Sequence, residues 1–514
     1  MAQGTLSVVA PPGDPAREPD LDSIREAVAA DIWARYHRLC GHAVRFVLVV
    51  ADQGAEVEGA AAQRGLTPQG FADQGVTRWR ACLDALGISC DELVRTSEIR
   101  HQRVAKALFL KLFDQDDVAK GTRQGNGGAT ACLPSRAPEE GTVGQAGRGT
   151  EPREGDGPLA DAASEGYFLR VSKYGKALTQ YLEDHPDLIL PAECREAVLR
   201  CVEGPDPWIS RARGEWGISV PIDRGQAIEG WFDGLLSHLT TSGYLTDPQA
   251  FERAWPPHVQ IVAPDALPTH GAAWLALLMA MGLPLPERIV VRGRWRWQDG
   301  PLGSEGGVLG ERVAGLGADP LRYAVARAAD FVADGALSLR GIVELWNTEI
   351  AGRLLRLVET CLAAAEYVCG GQVPRPGPFG PAEEALVGAS TGLFSAVGPL
   401  VESLDLRAAL GAVSALVSRA TDYAVEQGIG DPPGPRRGTQ TLGTPLYVLL
   451  EVCRLAANGL RPFLPAVASA VCGRLGTVED ERPPSSQAQW GLTRPLTRIP
   501  QGESLELRLA LKCP

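Results

Sequence analysis

Apolar positions in this 514-residue chain change their period along its length, and those changes divide it. The short apolar run Leu6–Ala10 predicts a first strand, set in a segment otherwise rich in Pro, Asp and Gly. From Leu21 to Leu39, Ile24, Val28, Ile32 and Trp33 recur at three- and four-residue spacing, which predicts a helix with one buried face. Residues 43–50, AVRFVLVV, are largely apolar on both faces, as in a strand of a parallel sheet covered on both sides. Strand, crossover helix and strand in that order open a doubly wound α/β domain. The α/β pattern holds to about Pro286. From Leu337 to about Leu475 helical periods take over, and four to five segments of this length predict an antiparallel bundle. The tail after Val478 is rich in Pro and Ser, with a last alternation, SLELRLALK, that suits a strand.

One segment breaks the pattern. Residues 114–163 are Gly, Pro, Arg and Glu with almost no large apolar side chain, and are expected to be disordered. The chain therefore divides into 1–113, the insert 114–163, a second α/β half at 164–335, a helical bundle at 336–475 and a tail at 476–514.

Charge narrows the classes of partner. With 50 basic and 62 acidic residues the net charge is −12, which argues against a generally basic nucleic-acid binder. The basic residues are nearly all arginine; lysine occurs only at 106, 111, 120, 173, 176 and 512. No run of about 20 apolar residues predicts a membrane span, and the first residues lack the basic start and apolar core of a signal peptide. The 11 cysteines are scattered, without a CxxC pair, as expected of reduced thiols in a cytoplasmic protein.

Residues Trp208 to Gly234, WISRARGEWGISVPIDRGQAIEGWFDG, carry the most specific signal in the chain. ISR, WGISVP and WFDG follow one another with the order and spacing found in the catalytic centre of methionyl-tRNA synthetases, and the chain resembles that family. The resemblance extends to DIWARYHRLCGH at 31–42, LGISCDELVRTSEIRH at 86–101, EGYFLRVSKYGKAL at 165–178 and GADPLRY at 317–323. It implies a class I synthetase-like, Rossmann-type α/β domain followed by an α-helical bundle of the anticodon-binding kind. It also implies amino-acid adenylation with ATP and magnesium, and transfer to tRNA. In the family the insert carries a subdomain that often binds zinc through cysteine knuckles. Here Cys132 is its only cysteine, and one thiol cannot form a four-ligand site, so no zinc is expected.

The motifs that handle ATP in the family depart from its pattern. Counting back from Asp31-Ile32-Trp33 places the His-x-Gly-His motif on Asp20-Leu21-Asp22-Ser23. Both histidines and the glycine are replaced. Asp20 or Asp22 suits a helix cap, but their charge would repel a triphosphate. Counting forward from Arg292-Gly293 places the Lys-Met-Ser-Lys-Ser loop on residues 301–305, with Pro301 and Ser304 where the lysines stand. Arg292, Arg294 and Arg296 alternate along an expected strand, and are candidates either for compensating charge or for a solvated strand face. The acid of the family's Gly-Thr-Asp-Glu-His-Gly run falls on Ala51, with Gln53 at its histidine.

The amino-acid pocket is better kept. By resemblance it consists of Trp231, His238, Asp265, His270 and Trp274, with His238 where the family carries a tyrosine. His270 and Trp274 are four residues apart and share a helix face. Indoles with a neutral histidine suit a thioether or another apolar side chain, and suit core packing equally well. In the bundle, the family's Asn-Lys-Tyr helix and its anticodon-stacking tryptophan are matched by Thr421-Asp422-Tyr423 and no tryptophan, which weakens tRNA recognition. The expectation is a synthetase-like protein that binds an amino acid or related small molecule and has lost, or strongly altered, adenylation. Two alternatives stay open: an active methionine–tRNA ligase or tRNA-independent amino-acid ligase, and a non-catalytic scaffold or tRNA-binding module.

Overall fold

Six short parallel strands form the central sheet of the computed structural model, which describes residues 5–10, 13–17, 19–123, 164–299, 315–430, 442–477, 489–505 and 509. In chain order they are β1 (Leu6–Val9), β2 (Val44–Val50), β3 (Glu92–Arg95), β4 (Ile189–Leu190), β5 (Val259–Val262) and β6 (Ile289–Val291). Their order across the sheet is β3-β2-β1-β5-β6-β4. The register sets Val8 beside Phe46 on one side and beside Val259 on the other, which buries all three side chains. From β1 the sheet grows toward β2 on one side and toward β5 on the other. The crevice beyond the carboxyl ends of β1 and β5 is therefore the topological switch point where α/β sheets place ligands.

Helix α1 (Leu21–Leu39) follows β1 with the expected bounds, and its amino terminus opens at that crevice. It is buried on nearly every side because sheet and bundle both pack on it: Ala27 to Ala30, Ile32 and Trp33 are all within the core. Arg322, wholly buried, ties the two halves. It donates to Phe463 O (2.8 Å), Pro462 O (3.0 Å) and Leu86 O (3.3 Å), and pairs with Asp31 of α1 at 2.8 Å. Burial pushes the Arg322 guanidinium below its ordinary range, while the Asp31 carboxylate pulls it back. Burial alone would raise Asp31, but Arg322 and Arg35 hold it below the usual carboxylate range.

Two sequence expectations shift. The break expected at Asp114 comes later, because Val118–Arg123 pairs antiparallel with Ser164–Leu169, burying Val118 against Tyr167 and Leu169; residues 124–163, with Cys132, lie outside the described residues. The bundle is also cut finer than four to five helices. Pro381–Thr391 and Leu393–Glu402 separate at Gly392, and Gly443–Leu460 separates from Pro465–Arg474, since Pro465 cannot donate to a continuing helix. The expected strand at 504–512 falls largely outside the described residues, but Leu509 exchanges two 2.9 Å hydrogen bonds with Asn347.

Candidate functional site

The amino terminus of α1 is the first place to look for ligand chemistry, because its free N–H groups point into the switch-point crevice. Asp20 caps it, accepting from Ser23 N (2.8 Å) and Ser23 Oγ (2.6 Å). Asp22 accepts from Trp295 N at 2.9 Å and pairs with Arg292 at 2.9 Å. The Arg292 Nε–H donates to Glu26, one turn further along α1. Arg25 lies 3.9 Å from the Trp295 ring centre and donates to Gly293 O (3.1 Å) and Phe331 O (3.0 Å).

Burial dominates this cluster. It pushes the Glu26 carboxyl up to about 7 even against the pull of Arg292, and it raises Asp22 as well. It lowers the Arg25 guanidinium to about 9. Arg292 keeps its charge because Glu26 and Asp22 outweigh the cost of burying it. The three arginines thus do not act as one charged face. The chain leaves the sheet after Val291 and resumes strand pairing only at Trp295–Trp297, beside Gly335–Leu337. Arg292 turns inward, whereas Arg294 and Arg296 are exposed, and Arg294 pairs with Asp265 on the surface. Pro301 and Ser304 lie outside the described residues.

The room left here is a cavity of about 30 Å³ lined by Gly13, Ser23, Glu26, Leu48 and Trp79 among others, enough for one or two waters. Among the described residues, a triphosphate entering the crevice would meet the carboxyl groups of Asp20, Asp22 and Glu26 and one guanidinium already paired, that of Arg292. The groups present do not fit it. Nearby, Ala51 offers no acid, and its neighbour Asp52 is engaged structurally. Asp52 accepts from Arg95 Nε (2.6 Å), Ser97 N (2.8 Å) and Ser97 Oγ (2.7 Å). Gln53 donates to Thr96 O at 2.8 Å.

A second cluster lies between the sheet and the helix Gly230–Ser242, which carries the WFDG run. Asp233 anchors that helix by a 2.6 Å contact to the buried His101 Nε2, and His101 Nδ1 reaches Thr240 Oγ1 at 2.8 Å. Trp231 is half-buried and donates to Trp208 O at 3.2 Å. Two turns on, the His238 ring sits 5.7 Å from His270 and 5.5 Å from Trp274. The His270 ring rides on a π-helical turn, Pro268–Ala273, that runs into the helix Trp274–Met281. Trp274 Nε1 donates to Gln260 Oε1 (3.1 Å) from the middle of β5. The fold thus brings His238, His270 and Trp274 together in the interior, with Trp231 on the same helix as His238. Asp265 stands apart on the surface, 73% exposed. Burial lowers both histidines, His270 to about 4 and His238 well below its ordinary value, so both rings are neutral at pH 7.

Comparison with known proteins shows the family of the chain. A family model described as tRNA synthetases class I (M) matches residues 16–127 and 156–362. The chain belongs to the methionyl-tRNA synthetase family. It is 32% identical to the methionine–tRNA ligase of Caldanaerobacter subterraneus subsp. tengcongensis over 94% of this chain and 75% of that one. A second relative, from Thermosynechococcus vestitus, is 31% identical and matched over 92% of each chain. The solved Mycobacterium tuberculosis methionyl-tRNA synthetase in complex with methionyl-adenylate is similar with a TM-score of 0.86 and 27% identity, over 98% of this chain and 100% of that one. The apo form of the same synthetase gives a TM-score of 0.79 at 26% identity, over 99% of each chain.

Sequence reasoning missed Glu26, Arg25 and Gln260. Glu26 and Arg25 lie within α1 among alanines that are wholly buried, and Gln260 is the one polar residue in the strand VQIV. A polar residue inside an apolar run was the available signal in each case. Among the described residues, no group of three or more His, Cys, Asp or Glu side chains is placed to hold a metal ion.

Proposed function

We propose that this chain is a methionyl-tRNA synthetase family member that keeps an amino-acid-type pocket, has lost or strongly altered adenylation, and works in the cytoplasm. One observation carries the reading: Arg292, beside the crevice where a triphosphate would sit, is bridged to Asp22 and Glu26, while Asp20 caps the helix that would receive phosphate. A triphosphate would have to break two charge-assisted contacts and approach carboxylates, with no lysine at either expected loop position. The family's other expected parts, ATP with magnesium and tRNA, are therefore not needed by this reading. The second reading, a ligase with rebuilt ATP contacts, draws support from the 32% identity to a methionine–tRNA ligase over 94% of this chain.

Amino-acid-dependent ATP–pyrophosphate exchange, screened over all proteinogenic amino acids, separates the two. Background exchange together with calorimetric binding of an amino acid is the expected result. Exchange above background with any amino acid would overturn the proposed loss and leave the rebuilt ligase.

A further inference from the structure

Gly41 ends α1 and decides where His42 goes. Its φ of 82° lies in the left-handed region that favours glycine, and two hydrogen bonds close the helix there: Gly41 N to Arg38 O (2.9 Å) and His42 N to His37 O (3.0 Å). The turn folds His42 back onto the last turn of α1, so that His42 Nδ1 lies 3.2 Å from His37 Nδ1. The other edge of the buried His37 ring faces the bundle. Its Nε2 is 3.0 Å from Glu402 Oε1, within ion-pair reach though off the line of a hydrogen bond. One turn earlier on the same bundle helix, Leu393–Glu402, Gly398 admits the Tyr36 hydroxyl, which would lie 2.5 Å from a Cβ there.

The proton positions follow from these contacts. Burial alone would raise the Glu402 carboxyl, but its neighbours, His37 chiefly, hold it below the usual carboxylate range, so it is ionised at pH 7. A carboxylate only accepts, which puts the ring proton of neutral His37 on Nε2 and leaves its Nδ1 bare. The 3.2 Å contact then takes its proton from His42 Nδ1. One further proton enters at Nε2 of the half-buried His42, keeps both contacts and sets a positive charge in line with Glu402. A second would have to sit on His37 Nδ1, against the N–H already aimed at it. The pair therefore takes up one proton, not two.

The other groups facing the pair do not compete for that proton. Burial lowers His258, whose Nδ1 already accepts from Ser7 N (3.3 Å) and whose Nε2 lies 3.7 Å from Glu287. Burial raises the Tyr36 hydroxyl and the Cys40 thiol, which stay uncharged. Arg288 donates to Glu402 O at 2.8 Å, and Arg38 turns away to Asp91 at 2.9 Å.

We propose that His37 and His42 hold one proton on behalf of Glu402 and act as a pH-operated latch between α1 and the bundle, tight when the pair is charged. The closed state pairs that charge with the carboxylate and the open state does not, so the closed state binds the proton more tightly. Closure therefore strengthens as the pH falls below neutral and weakens as it rises.

Hydrogen–deuterium exchange of the full chain at pH 6 and pH 8, corrected for the intrinsic pH dependence of amide exchange, tests this. Peptides from Leu393–Glu402 should be at least about threefold better protected at pH 6, while peptides from the helix Gly443–Leu460 serve as the reference and should not change. His42→Phe and Glu402→Gln should each bring the ratio to about one; the readout is a ratio within one variant, so general loosening does not imitate it. A wild-type ratio of one or less, or an equal rise in the reference helix, overturns the latch. A ratio that survives in both variants overturns its assignment to this pair. Nitrogen-15 spectra of the histidine rings from pH 8 to pH 5 should show the two rings taking up one proton together; uptake of two overturns the shared proton.

Discussion

Glu26→Gln reads the closed ion cluster most directly. The Glu26 carboxyl titrates near 4.5 in an unfolded chain and at about 7 in the fold, because burial penalises its charged form more than Arg292 repays. A carboxyl whose value rises on folding binds its proton more tightly in the folded state. Its contribution to stability is therefore fully present below about pH 4.5, is lost as the pH climbs to about 7, and stays constant above that. At about 1.4 kcal/mol for each pH unit across that interval, the loss is on the order of 3 kcal/mol.

Glutamine keeps the length and shape of the side chain but removes the titration. It also deprives Arg292 of one carboxylate, a cost that varies little over this range because Asp22 remains 2.9 Å away in both proteins. Urea unfolding of both proteins at pH 4.5, 5.5, 6.5 and 7.5 gives the comparison, with equal slopes required for the subtraction. The stability of the wild type minus that of E26Q should fall by about 2–3 kcal/mol from the lowest pH to the highest. A difference that stays flat within about 0.5 kcal/mol, or that rises with pH, would refute the picture of a carboxyl group whose charge is penalised by burial.

Three further perturbations test other parts of the same argument. Arg322→Met leaves the buried Asp31 with Arg35 as its remaining guanidinium partner and frees three carbonyls, so it should cost about 3–5 kcal/mol in chemical denaturation. Asp20→Ala removes the cap accepting from Ser23 and should cost about 1 kcal/mol by the same measurement; an unchanged midpoint would deny Asp20 its capping role. Asp265→Asn breaks only a surface pair with Arg294, so amino-acid affinity in calorimetry should change less than about twofold, and a loss of tenfold would place Asp265 in the pocket.

The fold was legible because it rests on local patterns. The bounds of α1 follow from a helical period that begins one residue after an aspartate able to cap it, and β2 follows from seven residues with apolar side chains on both faces. The helix breaks in the bundle were less legible. Gly392 and Pro465 interrupt stretches whose apolar period runs on through them, and period outweighed punctuation in the reading. In the aromatic cluster, His238, His270 and Trp274 lie together because two share one short helical segment and the third sits two turns after a motif tryptophan. Asp265 was grouped with them by position alone, yet a side chain at the start of a helical turn can face outward as readily as inward, and here a surface arginine holds it.

The ion cluster could not be read in the same way, since its members are far apart in sequence. Glu26 and Arg292 are 266 residues apart, and Trp295 reaches Asp22 across 273. The chain does hold a local hint. Asp22 and Glu26 stand four residues apart on α1 and so share one face, and two acids on a face that must be buried require a cation from somewhere. The carboxylates at 20 and 22 and the arginine at 292 then cease to be separate features. If the histidines and the glycine had simply drifted, nothing would oblige the new residues to satisfy one another. Instead the carboxylate at 22 meets both the guanidinium at 292 and the backbone N–H of Trp295, and that arginine reaches on to Glu26. Restoring one family residue alone should therefore not restore a phosphate site: a histidine at 20 or a glycine at 22 leaves Arg292 bound to Glu26, so the cluster has to be dismantled as a unit.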